Sequence, residues 1–354
     1  MPQPLHVGLV YGGQSTEHDV SVRSARNVLA MLGDRHRVTP ILITRDGRWL
    51  VQTPEALGDP ASGDGHPAMF APESETCSVL EGGDAIRELD LDVAFPILHG
   101  QNGEDGRVQG FLHTLGLPFV GPDVLSSAAC WDKEVTKRLL EHAGIPVTPY
   151  MTVRRGDEVS WGHLTEQLGS PVFVKPCSSG SSVGVTKVSA SGELDAALAL
   201  GFEYDRKLLV ETGISGREIE CAVLGNETPE ASVPGEIVST AQFYTYDAKY
   251  EDPDASRMEV PADLPPEIAE TIRALALEAY RALECEGMAR VDFFYTASGE
   301  VMVNEINTIP GFTSRSMYPV MWAHSGVDNA ALVDRLVALA IERHARDAAV
   351  RTTR

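Results

Sequence analysis

The sequence predicts an α/β protein of two or three domains packed around a shared cleft. Three observations carry that expectation. Short apolar runs alternate with segments of helical periodicity through the first ~120 residues, as in a parallel sheet covered by helices. The chain has 354 residues, a length at which one hydrophobic core has stopped growing and chains divide. Its 43% hydrophobic and 23% charged residues are those of a packed globular protein, not a disordered one.

The elements follow in order. LHVGLVYGG is a short apolar strand running into a Gly-Gly turn, and after it Val22, Ala25, Leu29 and Leu32, with Val28 beside them, recur at helical spacing. VTPILIT is a second strand, and DGRW is a hairpin-like turn into WLV. Residues from Thr53 to Asp84, rich in Gly, Pro, Ser and acid, read as loop with little regular structure. LDVAFPILHG is again a buried strand, and Val108, Phe111, Leu112 and Leu115 form the stripe of the helix that follows. Trp131, Val135 and Leu139 mark one face of a helix ending near Gly144. PVFVKP and SVGVTKV are strands joined by the loop CSSGSS, and KLLVE is a third. Beyond them lie the strand ECAVLG and a polar-aromatic stretch, AQFYTYDAKYEDPD. A helix carrying Ile268, Ile272, Leu275, Ala279 and Leu283 comes next. The hairpin ARVDFFY–TASG–EVMVNEIN and an amphipathic helix from Ala330 complete the chain, which has no internal repeats.

The formal charge of −22, without any cluster of Lys and Arg, excludes a general polyanion binder. A phosphorylated ligand must therefore meet positive charge concentrated in a pocket. Cys77, Cys130, Cys177, Cys221 and Cys285 are scattered and odd in number, with no C-x-x-C pair. Nothing at the N-terminus resembles a basic-then-apolar signal segment, and no apolar run reaches the length of a membrane span. Reduced thiols in a cytoplasmic protein are the expectation.

Three constellations carry chemistry. If the hairpin turns on a two-residue loop, Ser298-Gly299, then Asp292 faces Glu305 and Arg290 faces Asn307 on one side of the ribbon. Opposed carboxylates destabilise a sheet unless a cation lies between them. The row is either a solvated polar face or a site for a hard divalent ion; the Gly-Pro turn of TIPGFTS directly after it, as a cleft wall, favours the ion. Second, the loop after Lys175-Pro176 can fold over phosphate oxygens with backbone N–H and hydroxyl donors, although it is not a Walker A motif. Lys133 and Lys175 are either the positive charge it needs or surface lysines. Third, in GGQSTEHDVS the Gly-rich turn precedes a helix. Glu17 there either favours the helix dipole or projects into a cleft to hold an ammonium group. His99 ends another strand on the same expected edge.

In this order the motifs resemble the D-alanine–D-alanine ligase family of the ATP-grasp superfamily. The likeness runs from GGQSTEHDVS through LHGQNGEDGRVQG, WDKEVTK, VKPCSSGSSVG, VETGISGREIE, QFYTYDAKY and ARVDFF to NEINTIPGFTS. It implies a three-domain α/β ATP-grasp fold with an N-terminal parallel-sheet, Rossmann-like domain. The expected boundaries are 1–122, 123–214 and 215–354, with ATP held between the second and third domains. By the resemblance, Lys133 and Lys175 contact ATP phosphates, while Glu211 and Glu218 bind the adenine amine and the ribose. Asp292, Glu305 and Asn307 match the ligands of two Mg2+ ions, for which Mn2+ can substitute. Glu17 holds the first D-alanine's ammonium, with Ser181 and Tyr250 bonded to it, and His99 lies near that substrate's carboxylate. Arg290 and the Gly311 N–H stabilise the oxyanion, Ser316 receives the second carboxylate, and Lys249 sits on a lid loop. Thr212-Gly213 departs from relatives that carry Lys and a bulky aromatic there, so the adenine contact is expected from backbone. The implied product is D-alanyl-D-alanine, formed through D-alanyl phosphate by a homodimer.

Three other readings compete with this one. A D-lactate or D-serine ligase is the nearest, and Lys249-Tyr250 matches the dipeptide-forming lid. A catalytically silent nucleotide binder would show gaps among Arg290, Asp292, Glu305 and Asn307, and none is missing. An NAD oxidoreductase lacks its G-x-G-x-x-G fingerprint.

Overall fold

A computed structural model of the chain describes residues 4–57, 65–70, 76–81, 85–239 and 256–351. Lys249 and Tyr250, with the stretch expected to form the lid, lie outside the described residues.

The first sheet is built on β1 (His6–Gly12), whose seven residues are all buried. It pairs in parallel with β2 (Arg37–Ile43) on one side and β7 (Val93–Pro96) on the other. Helix α1 (His18–Leu32) crosses between β1 and β2, burying Val22, Ala25, Val28 and Leu32. The expected parallel layer is therefore real but only three strands wide. From β2 the sheet continues antiparallel through β3 (Trp49–Val51), β4 (His66–Phe70), β5 (Thr76–Glu81) and β6 (Ala85–Asp90), in the order β6-β5-β4-β3-β2-β1-β7. This corrects the loop expected from Thr53 to Asp84, which contains the short helix α2 (Pro54–Leu57), β4 and β5. An antiparallel meander needs no continuous apolar run, so its polar strands carry no buried-strand signature.

The stretch expected to be one helix is two. Helix α3 (Arg107–Thr114) leads to α4 (Val124–Trp131), and α5 (Lys133–His142) restarts one residue later. Asp132 causes the break: its extended backbone ends α4, and its carboxylate caps α5 by accepting the N–H groups of Glu134 and Val135 at 3.1 and 3.2 Å. The buried face also differs from the apolar stripe. Leu139 is 40% exposed, whereas Lys137 and Leu140 are fully covered.

A four-stranded sheet follows, ordered β10-β9-β11-β8, from β8 (Tyr150–Arg154), β9 (Val172–Pro176), β10 (Thr186–Val188) and β11 (Lys207–Thr212). Helices α6 (Trp161–Leu168) and α7 (Ser191–Tyr204) cover it through Leu164, Leu168, Leu194 and Ala197. The last sheet runs β15-β14-β12-β16-β17, from β12 (Gly216–Gly225), β13 (Glu230–Ala231, paired to β12), β14 (Gly235–Ser239), β15 (Ser256–Glu259), β16 (Gly287–Thr296) and β17 (Val301–Asn307). Its helices are α8 (Pro266–Ala282), α9 (Met317–His324) and α10 (Asn329–Ala348).

The first and last sheets share one core. Val7, Leu9 and Phe95 pack in the same cluster as Ala222, Leu224, Phe312, Trp322 and Leu336. Burying one such side chain contributes roughly 1.5–3 kcal/mol, so the two sheets are joined by a well-packed interface. Any site between their edges stands on fixed walls.

Candidate active site

The β16–β17 hairpin was expected to turn on two residues; it turns on three. Thr296 and Glu300 close the loop, the Thr296 N–H donating to the Glu300 carbonyl at 2.9 Å, and Gly299 takes φ +90°, open only to glycine at low cost. That shifts the register by one near the turn, so Phe293 faces Val303. A β-bulge at Asn304 then restores it. Asp292 faces Glu305 and Arg290 faces Asn307, the pairs derived from the two-residue loop. The two deviations cancel, and the bulge turns both Asn304 and Glu305 away from the buried Val303.

Arg290 occupies the ribbon beside these acids. Its Nε and Nη2 donate to the two oxygens of Asp292, each at 2.7 Å, and Nε also lies 3.0 Å from Glu220. Burial works against the Arg290 charge, but Asp292 and Glu220 outweigh it and hold the guanidinium firmly protonated. The next strand end leads into Thr308–Phe312, and α1 fastens this turn. Ser24 accepts the Phe312 N–H at 3.2 Å, and the Asn27 amide donates to the Phe312 carbonyl at 2.6 Å. His99 completes the clamp: Nδ1–H donates to the Ile309 carbonyl at 3.1 Å, so Nε2 accepts from the Ser24 hydroxyl at 3.0 Å. Burial pushes the His99 pKa down to about 4, which keeps the ring neutral. Both ring nitrogens are thus engaged by the protein.

Glu17 stands immediately before α1, where its carboxylate accepts from the Ser181 hydroxyl of the phosphate-type loop. A Cβ on Gly100 or on Gly180 would lie 2.7 Å from Glu17 Oε2, so the carboxylate is seated in a slot that only glycine leaves open. Glu104 lies beside it, with Oε2 accepting the Gly100 N–H at 2.9 Å. Burial, reinforced by the charge of Glu17, pushes the Glu104 pKa well up and favours its neutral form.

The lysines sit opposite. Lys133 Nζ donates to the Ser179 carbonyl at 2.6 Å, its backbone N–H donates to the Cys177 carbonyl, and its ammonium is 3.6 Å from Glu305. Lys175 is ion-paired with Glu211 and donates to Asn304 Oδ1 at 3.5 Å. Glu211 is buried, and its second oxygen lies 2.8 Å from Lys137. Burial alone would raise the Glu211 pKa, but Lys175 and Lys137 lower it.

A cavity of about 340 Å3 gathers these groups between the three sheets. Glu17, His99, Lys133, Ser181, Arg290, Glu305, Asn307, Gly311 and Ser316 all line it. Ser316 opens α9, with its hydroxyl accepting the Thr313 N–H at 2.9 Å. Asp292 abuts the cavity through Arg290. Lys175 and Glu211 lie outside this lining, bonded to each other, and Glu218 is exposed at the start of β12. Among the described residues no group of three or more His, Cys, Asp and Glu is gathered as a metal site; the expected donor set has two carboxylates and one amide. Three residues of this site were not singled out from sequence. Glu104 and Glu220 line the cavity, and Lys137 holds Glu211. All three stand inside the quoted motifs, LHGQNGEDGRVQG, VETGISGREIE and WDKEVTK, which was the signal that could have found them.

A phosphate-type loop with flanking lysines, facing an acidic hairpin across a cleft floored by a parallel-sheet edge, defines a ligase of the ATP-grasp fold. The particular family follows from comparison. The family model for the D-ala D-ala ligase N-terminus matches residues 6–122, and that for the D-ala D-ala ligase C-terminus matches 139–338. The chain belongs to the D-alanine–D-alanine ligase family. It is 47% identical over 364 aligned residues to D-alanine–D-alanine ligase A of Escherichia coli K12, covering 99% of this chain and 100% of that one. It is also 47% identical to the Salmonella typhimurium LT2 protein of the same name, covering 99% of each. Among solved structures, the D-alanine-D-alanine ligase from Coxiella burnetii matches with a TM-score of 0.88 at 38% identity, over 98% of this chain and 96% of that one. The VanG D-Ala:D-Ser ligase from Enterococcus faecalis matches at 0.85 and 37%, over 96% and 100%. No helix among the described residues is long and apolar enough to cross a membrane.

Proposed function

We propose that this enzyme joins two D-alanines at the expense of ATP, giving D-alanyl-D-alanine for peptidoglycan precursors, in the cytoplasm and as a homodimer. The observation that supports this most is the single cavity in which an acid–hydroxyl pair, a loop-bound lysine, a buried arginine and a helix N-terminus converge. Each suits one charged part of two amino acids and a phosphate.

Glu17 and Ser181 receive the first D-alanine's ammonium group. Its carboxylate attacks the γ-phosphorus of ATP; an O–P bond forms, the bond to ADP breaks, and an acyl phosphate results. Two anions must approach for this, and Lys133, Lys175 and Arg290 reduce their repulsion. Asp292, Glu305 and Asn307 would hold Mg2+, or Mn2+, in two sites. Their hard oxygens suit such an ion, and Asn307 Oδ1 is buried without a hydrogen-bond partner. When bound, the ion supplies further neutralisation of phosphate charge. The second D-alanine, its carboxylate at Ser316 and the α9 N-terminus, loses a proton and attacks the acyl carbon through nitrogen. Arg290 and the Gly311 N–H meet the oxyanion, the C–N bond persists, and phosphate leaves. His99, neutral and doubly bonded, positions the 309–312 turn that carries Gly311.

Phosphate release from ATP and Mg2+ with a panel of amino acids tests the reading. D-alanine alone should support turnover and yield the dipeptide. Turnover with L-alanine, or a clear preference for D-serine or D-lactate as second substrate, would overturn it. Sedimentation should give twice the chain mass.

A further inference from the structure

Three carboxylates, not two, stand in a row across the last sheet. Glu220 on β12 is in register with Asp292 on β16, which is in register with Glu305 on β17. Arg290 is buried beside the first two: its single Nε–H donates to Asp292 Oδ1 at 2.7 Å, while Glu220 Oε2, which accepts no hydrogen bond, lies 3.0 Å from Nε as an ion pair. Both Asp292 oxygens accept from Arg290. A divalent cation at Asp292 therefore competes with Arg290 for the same carboxylate. A buried guanidinium that loses its anion is strongly disfavoured, and an arginine bound to Asp292 alone would resist the ion.

We propose that Glu220 is a positioning residue that takes over Arg290 Nε as Asp292 turns to the divalent cation. The handover needs only a small reorientation, because Glu220 Oε2 already lies 3.0 Å from Nε. Arg290 stays at the cavity wall and Asp292 is released to the ion. This rests on the assignment of Asp292 to the divalent ion, and the experiment separates the two.

Mn2+ affinity, read by electron paramagnetic resonance of free Mn2+ in the presence of a non-hydrolysable ATP analogue, is measured for wild type, Asp292→Asn, Glu220→Ala and Glu220→Gln. Asp292→Asn tests the assignment; unchanged affinity there would remove it and with it the proposal. Glu220→Ala should weaken Mn2+ binding by about tenfold, the worth of a charge-assisted hydrogen bond. Glu220→Gln loses the same charge but keeps an acceptor for Nε, so it should lose clearly less. Both variants leave Arg290 paired with Asp292 and so should fold. In an Arg290→Met background, Glu220→Ala should have no further effect beyond the general loss of charge seen with Gln. Wild-type affinity in Glu220→Ala, equal losses for Ala and Gln, or an undiminished loss in the Arg290→Met background would each overturn the proposal.

Discussion

Lys137→Met is the perturbation on which the structure is most explicit. Lys137 is 1% exposed; its ammonium lies 2.8 Å from Glu211, donates to the Thr148 carbonyl at 3.1 Å and faces the Tyr150 ring at 5.6 Å. Methionine keeps most of the stem's volume, so the loss is electrostatic and not a cavity. Breaking a buried pair costs about 3–5 kcal/mol because a charge is left uncompensated. Here Glu211 retains Lys175, which places the loss near the lower end, about 3 kcal/mol at neutral pH. Burial is the largest influence on both groups: it lowers the Lys137 pKa and opposes the Lys175 and Lys137 charges that lower that of Glu211.

The sign of the pH dependence follows. In the wild type the depressed Glu211 pKa adds stability above the unfolded carboxylate pKa, lost as pH falls through the folded value. In the variant, burial dominates and the folded pKa rises, so the carboxylate protonates at higher pH and ceases to be an uncompensated charge. The deficit of the variant relative to wild type should therefore shrink by up to 1.4 kcal/mol per pH unit across the interval between the two folded pKa values. Urea unfolding of both proteins at pH 7.5 and pH 5 measures it. With Lys175 left as the cation paired to Glu211 among the described residues, nucleotide affinity should also fall. A deficit that is equal at both pH values, or below about 1 kcal/mol at neutral pH, would refute the reasoning.

Three further outcomes are expected. Glu305→Gln should leave the apo melting temperature unchanged or raised, since it relieves repulsion with Asp292 on the facing strand. Its turnover should fall about a hundredfold or more at limiting Mg2+; wild-type turnover there would remove the metal role. His99, held near a pKa of about 4, should show no ring protonation by NMR above pH 5.5, and a midpoint near 6.5 would contradict its buried double bonding. Gly180→Ala places a Cβ 2.7 Å from Glu17 Oε2 and should raise the KM for the first D-alanine, an increase visible in steady-state kinetics.

What the sequence disclosed, and what it withheld, follows from which interactions are local. The parallel core β2-β1-β7 was legible because both faces of such strands are buried, leaving continuous apolar runs. The strands from β4 to β6 were not, because an antiparallel meander can be half polar and is specified by its neighbours. The same distinction governs the site. Asp292, Glu305, Arg290 and Asn307 could be aligned from sequence because a hairpin's register is set by its own turn. The alignment survived a wrong turn length only because the bulge at Asn304 supplied the missing residue. Glu220 reaches the same row through β12–β16 pairing, across some seventy residues of chain and with no local turn to fix it. Lys137 was hidden for a different reason: hydrophobic periodicity assigns a lysine to solvent, and the carboxylate that balances its buried charge, Glu211, is distant in sequence. The residues that resist sequence reading here are buried charges, whose partners are set by tertiary structure. Removing Glu220 or Lys137 changes a single position inside a quoted motif, yet should unsettle the cavity walls, because each holds a partner set by tertiary structure.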